Sequence, residues 1–322
     1  MTATYEAVQP RRALTAVSAD GTRLNVEEYG RTDAPTVVLV HGWTCSTLFW
    51  APMVRALSSD FRLIAYDQRG HGLSAAPATR KGYSTAIMAD DLQAVLEAVL
   101  PEGERALLVG HSMGGMTIMA AAERQFVRDR TAAVLLVSTG ASRLIGSTQV
   151  LPPRLSARWL RRVLHRQILV SSLPLGPVTP MAKAVLKYGV MGPDSTPEQV
   201  DFCARIVHAC RARPRSAWGK VQAVLDLDAE VAALTAPTAV VVGTVDKLTP
   251  KVHSHRIAAA LPHCVGLTEL PGRGHMTPVE DTPAVEALIR TLAADHLARG
   301  DAGSERTTSG GAEAAGEQEK SA

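Results

Sequence analysis

Cysteine is scarce in this chain: Cys45, Cys203, Cys210 and Cys264 are the four, and no two stand at a Cys-x-x-Cys spacing. That distribution excludes a zinc ribbon or a disulfide framework and fits a reducing compartment. An excess of one charge is also lacking, because a net +3 over 322 residues is too small to point to a nucleic-acid partner. No apolar run near residue 1 has the length of a secretory signal, and Arg11-Arg12 interrupts the region where one would lie. No stretch elsewhere approaches the roughly 20 apolar residues of a membrane span. Glycine and proline are near average, so neither a collagen-like nor a wholly disordered chain is in question. Together these absences predict a cytoplasmic protein without a nucleic-acid partner, and they leave the oligomeric state open.

What is present is ample apolar material, 46% of residues, arranged in short aliphatic runs with helical patterns between them. That alternation predicts an α/β fold with a mostly parallel sheet and crossover helices. Strands are expected over 14–18, 22–29, 36–40, 62–66, 106–109, 132–138, 238–242 and 266–270, the first two forming a hairpin around Ala19-Asp20-Gly21. Helices are expected over 85–99, 114–126, 252–260 and 282–297. In the first of them Met88, Leu92, Val95, Leu96 and Val99 fall on one face.

From about 143 to 220 the rhythm breaks into short helical pieces separated by Pro152-Pro153, Gly176-Pro177, Pro180, Gly192-Pro193 and Pro214. This segment reads as a helical cap inserted between the sixth and seventh strands, dividing a core of 1–142 and 221–299. It holds 13 Lys/Arg against three Asp/Glu, a net +10. Residues 300–322 carry no apolar side chain larger than alanine and are expected to form a disordered tail.

The chemistry concentrates at strand ends. Leu107-Leu108-Val109-Gly110-His111-Ser112-Met113-Gly114-Gly115 is a strand entering a Gly-x-Ser-x-Gly turn and then a helix. Such a turn lifts a serine hydroxyl above the sheet, and Gly110 and Gly114 let the backbone pass where a side chain would collide. Ser112 is therefore the candidate nucleophile, with the N–H of Met113 at the helix start available to an oxyanion. A second donor is expected from Trp43, in the loop His41-Gly42-Trp43 that ends the strand 36–40. His41 is assigned a hydrogen-bonding role in that loop.

Serine needs a base at neutral pH. Of the ten histidines, His275 has the most informative setting, on the glycine-rich loop Pro271-Gly272-Arg273-Gly274-His275 after the last strand. Asp246 follows Val240-Val241-Val242-Gly243-Thr244-Val245, again a strand end, and would orient the imidazole. His71, in the loop after 62–66, has no acid at a suitable strand end and reads as structural. The rival acids Asp226 and Asp228 precede the strand that leads to Asp246.

These residues resemble the α/β-hydrolase fold superfamily, in its cap-bearing serine esterase and lipase-like branch. The matches are His41-Gly42-Trp43, Asp67-Gln68-Arg69-Gly70-His71-Gly72-Leu73-Ser74, Gly110-His111-Ser112-Met113-Gly114-Gly115, Asp246 and Gly274-His275, spread over roughly 14–297. The resemblance implies an eight-stranded sheet, no metal, no organic cofactor, and the chain order Ser112, Asp246, His275. Serine at 112 departs from the epoxide hydrolases and haloalkane dehalogenases of the superfamily, which use aspartate there.

The expected partner is a small-molecule ester, cleaved through an acyl-enzyme. The same residues would serve thioester or carbon–carbon bond hydrolysis or perhydrolysis, and a ligand-binding protein without catalysis is the alternative outside enzymes. In the cap, Arg154, Arg158, Arg161, Arg162 and Arg166 recur at helical spacing with Leu155, Trp159, Val163 and Leu164 between them. A solvated basic face above an apolar one covering the pocket is the preferred reading. A lid that meets anionic substrates or an acidic membrane surface is the alternative.

Overall fold

Eight strands make one sheet: β1 (Arg12–Val17), β2 (Arg23–Gly30), β3 (Thr36–Val40), β4 (Arg62–Tyr66), β5 (Ala106–His111), β6 (Thr131–Val137), β7 (Thr238–Gly243) and β8 (Cys264–Leu270). The structure is a computed structural model and describes residues 3–150 and 158–297. The strand order is β1-β2-β4-β3-β5-β6-β7-β8. Only β2 runs against its neighbours β1 and β4, and every other pairing is parallel. The helices are α1 (Ala51–Leu57), α2 (Thr85–Val99), α3 (Met113–Ala120), α4 (Gln125–Arg130), α5 (Leu144–Ser147), α6 (Arg158–Val170) and α7 (Pro180–Val190), followed by α8 (Pro197–Ala209), α9 (Ala212–Gln222), α10 (Asp228–Ala233), α11 (Val252–Ala260), α12 (Thr277–Glu280) and α13 (Thr282–His296).

Strands β3, β5, β6 and β7 are buried at every position, which is why they read as unbroken aliphatic runs. Alternate residues feed two cores. Val38, Val40, Leu108, Val134 and Leu136 pack on one face with the predicted stripe Met88, Leu92, Val95, Leu96 and Val99 of α2. Val37, Leu39, Leu107, Val109 and Leu135 pack on the other with Met53 and Val54 of α1 and Ile289 and Leu292 of α13. Truncating one of these buried leucines to alanine is expected to cost about 2–5 kcal/mol.

β3 lies between β4 and β5, so the chain winds away in opposite directions from this point. The carboxyl ends of β3 and β5 open a crevice there, the usual place for a ligand in such sheets. Helices α5 to α9 stand between β6 and β7, where the sequence predicts an insertion. Thr196 caps α8 with a reciprocal Gln199 bond and Pro197 at its first turn, and Thr179 and Pro180 start α7 in a similar way. A Cβ on Gly219 of α9 would lie 1.9 Å from the Leu169 carbonyl oxygen, so glycine sets the close packing of α9 on α6.

Two expectations need correction. The helix expected over 114–126 is two helices, α3 and α4, separated by a turn in which the Arg124 N–H donates to the Ala121 carbonyl. Apolar spacing continues across the break into Phe126 and Val127, so periodicity alone does not mark it. In α6, Trp159 and Val163 are exposed, whereas His165 and Leu169 line the cavity and Ile168 stands at its edge, exposed in part. Pro152, Pro153, Arg154, Leu155, the side chains of Arg158 and Arg161, and the tail 300–322 lie outside the described residues.

Candidate active site

Ser112 occupies the turn between β5 and α3 at φ 51°, ψ −116°, a strained backbone conformation for a residue with a side chain. Its surroundings impose it. A Cβ on Gly114 would lie 2.0 Å from the Val40 carbonyl oxygen, and one on Gly110 2.6 Å from the Gly115 nitrogen. The Ser112 N–H donates to Val137 O at 2.9 Å, and Thr139 Oγ1 donates to Ser112 O at 2.7 Å. With both backbone groups engaged and both flanks closed, the turn has no cheap relaxed alternative.

The loop after β8 brings His275 over this turn, and the loop after β7 brings Asp246 behind it. His275 Nε2 lies 2.9 Å from Ser112 Oγ, and His275 Nδ1 lies 2.8 Å from Asp246 Oδ2. A carboxylate accepts only, so Nδ1 carries the proton and donates it, leaving Nε2 to accept from the Ser112 hydroxyl. Asp246 Oδ1 accepts the N–H groups of Leu248 and Thr249, both at 2.9 Å, and Thr249 Oγ1 lies 2.8 Å from Oδ2. These bonds aim the second oxygen at the imidazole. All three side chains are buried.

Beside Ser112 runs the loop after β3. A Cβ on Gly42 would stand 3.2 Å from the Ser112 Cβ, so the loop passes in contact with the serine. The backbone N–H groups of Trp43 and Met113 have no acceptor among the described residues. Two unspent donors therefore lie on the backbone segments that meet at Ser112.

Three further histidines surround this centre, each neutral. His41 donates from Nδ1 to Gly42 O at 2.7 Å and accepts the Gln68 N–H at 3.0 Å, and burial pushes its pKa down to about 4. His71 Nε2 accepts the Thr44 N–H at 3.2 Å, and burial with His41 nearby lowers its pKa to about 3. His111 donates from Nε2 to the His275 carbonyl at 2.9 Å and stacks on Phe49 at 4.7 Å between centroids. Burial holds it well below the ordinary histidine range. His41 and His71 thus serve the loops, as the sequence reading assigns, and neither is hydrogen-bonded to Ser112.

The structure adds residues that motif spacing does not reveal. Glu280, buried on α12, accepts the N–H groups of Gly274 and Met276 at 2.9 Å each, and those of Gly192 at 2.6 Å and the Ser195 hydroxyl at 3.0 Å. It ties the His275 loop to the chain between α7 and α8. The His275 N–H itself donates to Val190 O at 2.7 Å. The partners of Glu280 are mostly backbone, so no side-chain pattern announces it. Above Ser112 and His275 lies a cavity of about 580 Å³, walled mainly by apolar residues of the helical insertion such as Leu144, Leu169, Leu175, Leu186 and Val190. Arg215 also lines it.

The sheet order, the strained serine turn and the histidine loop after the last strand define the class. Residues 35–282 match the α/β hydrolase fold family, and the chain belongs to it. Among its relatives, the putative carbamate hydrolase RutD of Variovorax paradoxus is 32% identical over 279 residues, covering 86% of this chain and 96% of that protein. The probable oxidoreductase EphD of Mycobacterium tuberculosis is 38% identical over 121 residues; the match covers 38% of this chain and only 20% of that protein. Among solved structures, the esterase RhEst1 from Rhodococcus sp. ECU1013 superposes with a TM-score of 0.67 at 26% identity, covering 88% of this chain and 99% of the other.

Proposed function

We propose that this protein is a serine hydrolase that cleaves a carboxylic ester of a small or medium-sized, largely apolar substrate through an acyl-enzyme. The observation that carries the reading is the continuous chain Asp246–His275–Ser112, at 2.8 and 2.9 Å, beneath an apolar cavity. Ser112 Oγ attacks the carbonyl carbon as its proton passes to His275 Nε2, and the imidazolium is stabilised by Asp246. The N–H groups of Trp43 and Met113 receive the developing oxyanion, each donor being worth about 10²–10³ in turnover. His275 returns the proton to the leaving alkoxide, and water repeats the sequence in reverse to free the acid.

The test is labelling with a fluorophosphonate followed by peptide mass spectrometry. The reading expects one adduct, on Ser112, and none in Ser112→Ala. An adduct on another residue, or none in the wild type, contradicts it. A second reading, hydrolysis of a carbamate by the same attack, is supported by the relative that matches along nearly its whole length and is named a putative carbamate hydrolase. Faster turnover of a phenyl carbamate than of the matching ester would favour it.

A further inference from the structure

Two arginines are almost fully buried among the described residues, and their surroundings differ. Arg69 is held by two carboxylates, its Nε 2.7 Å from Asp91 Oδ2 and its Nη1 2.7 Å from Asp20 Oδ2. Arg215, on α9 and 3% exposed, pairs with no carboxylate among the described residues. Its Nη2 donates to the carbonyls of Leu173 and Ser171, and its Nη1 has no acceptor among the described residues. A buried charge is normally matched by an opposite one, because the desolvation cost is otherwise uncompensated.

Arg215 lines the cavity above Ser112, and no Asp or Glu lines that cavity with it. The backbone of the same residue is tied to the candidate oxyanion loop, since Trp43 Nε1 donates to Arg215 O at 2.9 Å. The residue that carries this unmatched charge is therefore part of the wall of the substrate space, with its Nη1 buried behind the surface. We propose that Arg215 receives a free carboxylate carried by the substrate, separate from the bond that is cleaved. This rests on the ester-hydrolase reading above and names the substrate class: a monoanionic ester, such as a half-ester of a dicarboxylic acid. One guanidinium among apolar walls matches a single negative charge, and its fork suits a carboxylate.

The test compares p-nitrophenyl pentanoate with mono-p-nitrophenyl glutarate, which differ chiefly in a terminal methyl against a terminal carboxylate. Wild type is expected to favour the glutarate in kcat/KM by at least about 10-fold. In Arg215→Met the ratio falls to one or below, and Arg215→Lys retains part of it. No preference in wild type, or a preference that survives in Arg215→Met, overturns the proposal while leaving the serine mechanism intact. Calorimetry with monomethyl glutarate, which carries one carboxylate, on the Ser112→Ala protein tests the site without turnover. Binding there that disappears on adding Arg215→Met supports it even if neither ester is hydrolysed, and absence of binding contradicts it.

Discussion

Glu280 grips the loop of His275 from both sides, accepting the N–H of Gly274 through one carboxylate oxygen and that of Met276 through the other. The first of these oxygens also holds Gly192 and Ser195, so the position of the imidazole is coupled to the helical insertion that roofs the cavity. A glutamine cannot replace this carboxylate, because its amide nitrogen would face an N–H where an acceptor is needed. Glu280→Gln is expected to lower kcat on an accepted ester by about 10²-fold, with a smaller change in KM, since displacement of a reacting group by about 1 Å costs that much. Unaltered kcat in a folded variant would show that the Val190 carbonyl alone holds the loop.

Asp246→Asn removes the acceptor that selects the His275 tautomer. Turnover is expected to fall by about 10⁴-fold, while covalent labelling of Ser112 slows without changing its site. A loss below about 10-fold would mean that Thr249 Oγ1, 3.2 Å from His275 Nδ1, can orient the ring unaided.

Gly114→Ala places a methyl 2.0 Å from the Val40 carbonyl oxygen, against backbone that cannot move without disturbing β3. The expected cost is about 3 kcal/mol or more, read as a lowered urea midpoint or loss of soluble protein. Gly266→Ala, where the added carbon meets nothing within 4 Å, serves as the matched control.

The buried neutral histidines predict how stability depends on pH. His41 and His71 titrate near 4 and 3 in the folded protein against 6.5 when unfolded. The unfolded chain therefore binds protons first, and the stability held above pH 6.5 is lost as pH falls toward the folded values. Each such histidine is expected to remove about 2 kcal/mol between pH 7 and pH 5. Urea unfolding at the two values measures it, and His71→Gln should flatten the dependence.

The parts of this protein legible in its sequence are those where side-chain type and spacing report directly on burial. The stripe on α2 predicts the whole helix Thr85–Val99, and Ser112 and Asp246 each follow a strand whose aliphatic run is plain. The Ser112 turn is equally visible, because its glycines are demanded by contacts with Val40 and Gly115. Glu280 is not visible, since its partners are mostly backbone groups, and Thr249 is not, since its place between Asp246 and His275 depends on how two loops meet. Arg215 is hidden among other basic residues of the insertion, and only its burial without a carboxylate sets it apart. The exposed Trp159 shows the same limit: helical spacing defines a face, but the neighbours decide which face is covered.

Hydrolysis of p-nitrophenyl esters of graded acyl length, by wild type and Ser112→Ala side by side, tests the central claim most directly. The account predicts turnover by the wild type, a preference set by the cavity of about 580 Å³, and loss of at least about 10⁴-fold in the variant. Equal activity in the two proteins would contradict it and place the nucleophile elsewhere.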